Sequence, residues 1–497
     1  MRSIGLGLVL ALAATGANAQ TPGREAMAKV IAGQHDQNVK SLQDWIALPT
    51  IAAEKRNVSE GAAYMRQLAL DAGFQQARIV ESGGVPGVFA TLDAGAPVTL
   101  GVYFMYDVKQ FDPKEWTSPP LAGQLYDRPG EGQAIRGRGA VNQKGPETAF
   151  LAALRAFKAS GRKLPVNLVL VAEGEEEIAS PNFPRIVADP QVAAALQKTV
   201  GVFIPSASQD ESGLGDILLG AKGAVEFQLI VGGETSDKYP RKDVHSSNYA
   251  RVESPAWRLV KALDTLVADD GHTPTIDGFM DNVAPLTARQ KELITQQVKA
   301  SNEAEVKKGL GIGRWINDED YQTSSERFLS QPTVNIQGLV SGYTGVGGKT
   351  VLPGRAEAKL EFRLVPNMTK DEVVTKLKAH LAKRGFDDVK VVVSGGYGPN
   401  QTDENSAFIQ AQKRVFERNK VPFTITPRSA GSWPGVVFNG APLNLPTGQF
   451  GIGRGEGAHA PDEWFIVRSS NPRVAGLDEA ALFFVDYLYE VAKLGRK

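Results

Sequence analysis

Four short polar clusters carry the residue types that chemistry needs. They are Tyr106-Asp107-Val108, the stretch Gly137–Gly145 with Arg138, Asn142, Gln143 and Lys144, the acidic run Glu173-Gly174-Glu175-Glu176-Glu177, and Gly457–Glu463 around His459. The acidic run is the most telling of the four. Its four carboxylates in five residues repel one another unless cations neutralise them or protons are taken up. That is the chemistry of a cation site or of acid–base catalysis, against the plainer reading of a solvated acidic loop. Cysteine is absent, which removes disulfides, thiolate metal sites and cysteine nucleophiles together. With only five histidines, any metal site must lean on carboxylates. Lys+Arg and Asp+Glu both number 55, so nothing points to nucleic acid or an anionic membrane.

The elements that must position these clusters can be read from hydrophobic pattern. Val98–Phe104 suits a buried strand, which puts Asp107 at its carboxyl end, where ligands collect in open α/β sheets. A helix is predicted over Glu147–Ser160, with Pro146 near its start and Gly161 at its end. Strands follow at Val166–Val171, just before the acidic run, and at Val200–Ile204. Strand–helix–strand alternation argues for an α/β catalytic domain: a mixed, mostly parallel sheet covered by helices. From Gly220 the character changes. An exposed strand at Ala224–Gly232, helices at Ala256–Val267 and Lys370–Arg384, and strands at Val334–Leu339, Ala356–Val365 and Val389–Val393 make a βαββαβ-like order, enlarged near 270–330. The expected organisation is therefore 20–220 and 397–497 as the catalytic domain, interrupted by a smaller α+β sandwich lid and dimerisation domain at 221–396. The Gly395–Pro399 turn cluster marks the return, and helical Leu477–Leu494 completes the first layer. The Gly-rich stretches 342–348 and 451–457 match no nucleotide fingerprint.

Residues 1–19 have the pattern of a secretory signal: Arg2, a short apolar core, and Ala17-Asn18-Ala19. The expectation is a secreted, periplasmic protein with no membrane span after signal removal.

Together and in order, the four clusters resemble the family-twenty metallopeptidases of the carnosine dipeptidase, aminoacylase and glutamate carboxypeptidase type. Trp116–Pro120, Val244-His245-Ser246 and Phe362-Arg363-Leu364-Val365-Pro366 extend the resemblance over nearly the whole chain. The resemblance implies two zinc ions sharing a carboxylate, and water that attacks an amide carbonyl. It implies Asp107 as the acid that orients a ligand, Glu176 as general base, and Glu177 and His459 as ligands of one zinc. His245 would stabilise the oxyanion in a partner's site of a homodimer, and Arg363 would pair with a substrate carboxylate.

The sequence departs from that pattern at the metal. Met105 stands where the family has a histidine ligand, Asn142 at the bridging aspartate, Gln143 at the acid after it, and Ser206 at a further aspartate ligand. Thioether and hydroxyl are poor replacements for imidazole and carboxylate around zinc. The chain is thus expected to hold one divalent ion, zinc first, on Glu177, His459 and Asn142. The alternative is no metal, with Lys144, Lys109 or Arg138 balancing the carboxylates. The expected function is an exported amide or peptide hydrolase acting on dipeptides, short peptides or N-acyl amino acids with a free carboxylate. The alternatives are a non-catalytic periplasmic ligand-binding protein or a metal-free enzyme of changed reaction.

Overall fold

A computed structural model describes residues 23–495, so the expected signal at 1–19 lies outside the described residues. The heart of the larger body is an eight-stranded mixed sheet. Its spatial order is Gln76–Val80, Gly87–Leu92, Asn167–Glu173, Thr99–Met105, Thr199–Pro205, Thr447–Phe450, Gly215–Leu218 and Phe423–Thr426. The central strands Asn167–Glu173, Thr99–Met105, Thr199–Pro205 and Thr447–Phe450 run parallel. They are short apolar runs because both faces are covered, so no alternation with polar residues is required.

On one face the helices Gly145–Ser160 and Leu477–Val491 pack together over the strands. Phe150 meets Phe203 at 5.3 Å and Phe484 at 5.5 Å between ring centroids, while Tyr487 lies 4.2 Å from Phe450. These edge-on and tilted contacts suit aromatic quadrupoles. The short helices Phe183–Val187 and Pro190–Leu196 contribute to a second apolar cluster with Tyr103, Met105 and Trp433. A separate four-stranded sheet, Gly455–Glu456, Trp464–Ser469, Gly132–Arg136 and Gln124–Arg128, carries the His459–Glu463 loop at its end.

The second body is built on the strand Gly220–Gly232, flanked by Arg355–Leu364 and Lys390–Tyr397, with Thr333–Ser341 on the outside. The helices Pro255–Asp264 and Lys370–Lys383 supply the rest of its core. The observed order is the βαββαβ expected from the pattern. One detail differs: Ala224–Gly232 was expected as an exposed strand, but it pairs on both sides and is largely buried. Its polar residues Glu226 and Gln228 lie on the face away from Phe227 and Leu229, and they suggested solvent where the structure has a central strand. Along Arg355–Leu364 the same alternation sends Leu360, Phe362 and Leu364 into the core and leaves Glu361 and Arg363 on the other face. The helical insertion reaches back to the larger body, where Leu293 joins the main core and Arg289 pairs with Glu404. Among the described residues no helix is long and apolar enough to cross a membrane.

Candidate active site

The acidic run forms a tight turn at the carboxyl end of Asn167–Glu173, and its four carboxylates diverge. Glu173 turns under the sheet and accepts hydrogen bonds from Tyr103 and Ser180, both at 2.9 Å. Glu175 accepts the Val85 amide at 3.0 Å and the Asn182 carboxamide. Only Glu176 and Glu177 are left for chemistry. Divergence relieves part of the expected repulsion, and protonation relieves more: burial, together with neighbouring acids, holds Glu173 and Glu176 well above the usual carboxylate range.

Asp107 sits where the sequence pattern put it, just beyond Thr99–Met105, and is 1% exposed. Its carboxylate accepts the backbone N–H groups of Glu176 at 3.2 Å and Glu177 at 3.0 Å, so it shapes the acidic turn itself. Burial, helped by the Glu177 charge, pushes Asp107 up to about 8.

Glu177, Asn142 and His459 converge. The Asn142 carboxamide nitrogen lies 2.7 Å from Glu177 Oε1 and 3.1 Å from His459 Nε2, and His459 Nε2 lies 3.1 Å from Glu177 Oε2. Lys109 Nζ is 3.6 Å from Glu177 Oε2 and also donates to the Glu177 carbonyl. Of Lys144, Lys109 and Arg138, Lys109 is the one that reaches the Glu177 carboxylate, while Arg138 Nη2 donates to His459 O at 3.2 Å. Arg138 pairs with Glu463 at 3.0 Å. Lys144 is wholly buried, donates to the carbonyls of Trp45 and Leu48, and is pushed down to about 7 by burial.

His459 is presented by a loop in which it adopts φ 66°, a left-handed conformation uncommon outside glycine. Glu463, four residues on, is the anchor of the whole region. It is 1% exposed and accepts the backbone N–H groups of Gly139, Val141 and Asn142 as well as Arg138 Nη1. One carboxylate thus ties the His459 loop to the Asn142 loop. The sequence placed Glu463 inside a polar cluster, but nothing in it showed this role.

The remaining positions separate. Met105 is packed in the apolar cluster with Tyr103 and Val171. Ser206 follows the strand Thr199–Pro205, its amide bound to Phe450 O at 3.0 Å. Gln143 Nε2 donates to Pro205 O at 3.2 Å. Arg363 reaches the acidic turn through intermediaries. Its Nη1 donates to Ser432 Oγ at 2.7 Å, Ser432 lies 3.2 Å from the Tyr397 hydroxyl, and that hydroxyl lies 3.3 Å from Glu176 Oε1. Neither Tyr397 nor Ser432 stood out in the sequence. His245 is exposed on the smaller body, in a short strand paired with Val351-Leu352, and its Nδ1 meets Ser247 at 2.8 Å. Within one chain it is not brought to the acidic turn by any hydrogen bond or ion pair found among the described residues.

The donor set fits one ion better than two. Glu177, His459 and Asn142 point at a common place, and turning the carboxamide over would present its oxygen there. A thioether held in an apolar cluster and a serine hydroxyl offer a second ion nothing comparable. Among the described residues no group of three or more His, Cys, Asp or Glu side chains could hold a metal by itself.

The sequence profile of Peptidase family M20/M25/M40 matches residues 106–482. This chain belongs to that peptidase family. It is 27% identical over 456 residues to the Cys-Gly metallodipeptidase DUG1 of Candida albicans, covering 86% of this chain and 90% of the relative. It is 27% identical over 391 residues to the human Beta-Ala-His dipeptidase, covering 72% of each. Among solved structures, the M20 family metallo-carboxypeptidase Sso-CP2 from Sulfolobus solfataricus superposes with a TM-score of 0.79 at 31% identity, over 92% of this chain and 99% of that one. The α/β architecture with a second, smaller body is that of the M20 peptidases. One expectation is corrected here. The relatives aligned over most of the chain include the yeast Cys-Gly metallodipeptidases, and neither they nor the described residues give any support to a signal peptide, secretion or a periplasmic location.

Proposed function

We propose that this M20 peptidase hydrolyses the amide bond of a dipeptide, short peptide or N-acyl amino acid that carries a free carboxylate. The observation that carries the reading is the divergence of the acidic run. It leaves Glu176 and Glu177 side by side, one joined to His459 and Asn142, the other joined through Tyr397 and Ser432 to Arg363. Glu176 takes the proton of the attacking water. Its raised affinity for protons, caused first by burial and then by Glu177 and Asp107, suits a group that must accept one. Arg363 lies on the face of its strand opposite the core, with Nη1 on Ser432 and Nη2 paired with Glu361, and would turn its fork from Glu361 to the substrate carboxylate. Asp107 holds the turn so that both glutamates keep their directions.

Glu177, His459 and the Asn142 carboxamide oxygen would hold a single divalent ion, zinc first. When bound there it supplies Lewis-acid polarisation of the carbonyl and a more acidic water.

The body spanning 221–396 serves as lid and as dimerisation surface, with 20–220 and 397–497 as the catalytic part. In support, the outer strand Thr333–Ser341 exposes Ile336, Leu339 and Val340 along an edge that a second copy could cover. His245 on that body would stabilise the oxyanion in the second copy's site. A monomer in light scattering would remove that role.

A second reading is favoured by Lys109 beside Glu177 and by Asn142 donating to Glu177, which give that carboxylate partners without a metal. The deciding test is metal content per chain, measured alongside turnover of a dipeptide panel with and without zinc, manganese or cobalt. About one ion per chain, lost in His459→Ala together with turnover, supports the one-metal hydrolase. Turnover that survives chelation supports the metal-free enzyme. Ligand binding without turnover, unchanged in Glu176→Gln, supports a binder.

A further inference from the structure

The strand Lys390–Tyr397 belongs to the smaller body, yet its end is pressed against the turn that carries Glu176. Gly396 donates its N–H to Ala179 O at 3.1 Å, and a Cβ at Gly395 would stand 2.7 Å from the carbonyl of Ile178. The close approach requires glycine there. It delivers the ring of Tyr397, 8% exposed, to the side of Glu176. The hydroxyl lies 3.3 Å from Glu176 Oε1 and 3.2 Å from Ser432 Oγ.

A phenol has one proton, and a carboxyl oxygen that carries no proton of its own can only accept. The Tyr397 hydroxyl donates to Glu176 Oε1, so any proton that Glu176 holds belongs on Oε2. Ser432 Oγ accepts from Arg363 Nη1 at 2.7 Å and lies 3.2 Å from the Tyr397 hydroxyl, so it is the phenol's other oxygen neighbour. The result is a connected chain of contacts, Arg363–Ser432–Tyr397–Glu176. Burial, with the Glu176 charge next, holds the phenol well above its ordinary range, so it remains a donor.

We propose that Tyr397 is the positioning residue of the base: it holds Oε1 of Glu176 and leaves Oε2 as the oxygen that receives the proton. This inference rests on the hydrolase reading above. Tyr397 acts through Glu176 and not on the substrate, so its removal lowers kcat and leaves KM alone. Ser432 stands between Tyr397 and Arg363, and its removal moves KM as well.

The test uses the full-length protein and the best dipeptide found for it. Tyr397→Phe keeps the ring and deletes only the hydroxyl. The expected result is a kcat lower by about tenfold to a hundredfold, the scale of a small misplacement of a reacting group, with KM within about twofold of the parent. In a Glu176→Gln background the same change should cost nothing further, because the group it positions is no longer a base. A Tyr397→Phe enzyme with unchanged kcat, or an equal loss in both backgrounds, overturns the proposal. Should Tyr397→Phe fold poorly by thermal melt, Ser432→Ala decides. A kcat loss that vanishes in Glu176→Gln supports the chain, and a change in KM alone overturns it. A parent protein with no turnover of any peptide overturns the hydrolase reading itself, whereas an active parent with an indifferent Tyr397→Phe overturns only the positioning role.

Discussion

Restoring the acid at position 142 would place two carboxylates 2.7 Å apart, because Asn142 Nδ2 is that far from Glu177 Oε1. Two full charges at that distance repel by about 6 kcal/mol at an effective dielectric of about 20. The protein has a cheaper course, which is to keep a proton on one of the pair. Holding a proton at pH 7 on a carboxyl of ordinary pKa near 4 costs about 4 kcal/mol, and at pH 5 about 1.5 kcal/mol. Asn142→Asp should therefore destabilise the metal-free protein by up to about 4 kcal/mol at pH 7. The sign follows from the shift. The pair's folded pKa is raised, so the penalty is absent below the unfolded value near 4, grows as pH rises, and levels off above the folded value. Urea denaturation in EDTA at pH 5, 6 and 7 measures it. Added zinc should then stabilise Asn142→Asp more than the parent, by about 1.4 kcal/mol for each tenfold excess of metal over its Kd. If Asn142→Asp in EDTA is as stable as the parent at pH 7 and shows no added slope with pH, the Asn142–Glu177 contact is wrong.

Glu176→Gln should lower kcat by about 10²- to 10⁴-fold, the usual contribution of a general base, without loss of thermal stability, since a crowded buried carboxyl is removed. Steady-state kinetics and a melting curve check both halves. Arg363→Ala should raise KM for a peptide with a free C-terminus while leaving its amidated analogue unaffected; equal effects on the two would count against the carboxylate fork. Asp216, on the strand Gly215–Leu218 beside Thr424 and Thr426, is pushed up to about 6 by burial. Because its folded pKa is raised, stability is lost as pH climbs from about 4 through about 6, and Asp216→Asn should recover at most about 3 kcal/mol at pH 8 and far less at pH 5. Denaturation midpoints at the two pH values decide it.

Much of the larger body was legible because its strands are apolar runs that end in polar clusters, so Asp107, Glu176 and Glu177 could be placed at strand ends, whereas His459 stood out through the family resemblance. Local pattern carries no more than that. Glu173 and Glu175 looked equivalent to their neighbours, and only the positions of Tyr103, Ser180, Val85 and Asn182 show that they point elsewhere. Glu463 binds amides far away in the chain, and a carboxylate that collects backbone N–H groups looks in sequence like any surface acid. Tyr397 was hidden within a Gly-rich return segment, where turn chemistry was the natural reading. The glycines do serve a close approach, but to the acidic turn.

The chain passes to the smaller body along Gly220-Ala221 and comes back along Asn400-Gln401, and these two passages are antiparallel ladder partners: Asn400 faces Ala221 and Gln401 faces Gly220. The chain itself connects the two bodies through a doorway one strand-pair wide, beside the packing contacts of Leu293, Arg289 and Gly396. Facing residues in such a ladder lie about 5 Å apart, a gap that a two-residue hairpin closes. The smaller body is therefore a cassette. It could be exchanged for that of another M20 peptidase, or made the site of new chain termini, without rerouting any strand of the eight-stranded sheet. Evolution could change what this protein admits to its acidic turn by editing one contiguous insert.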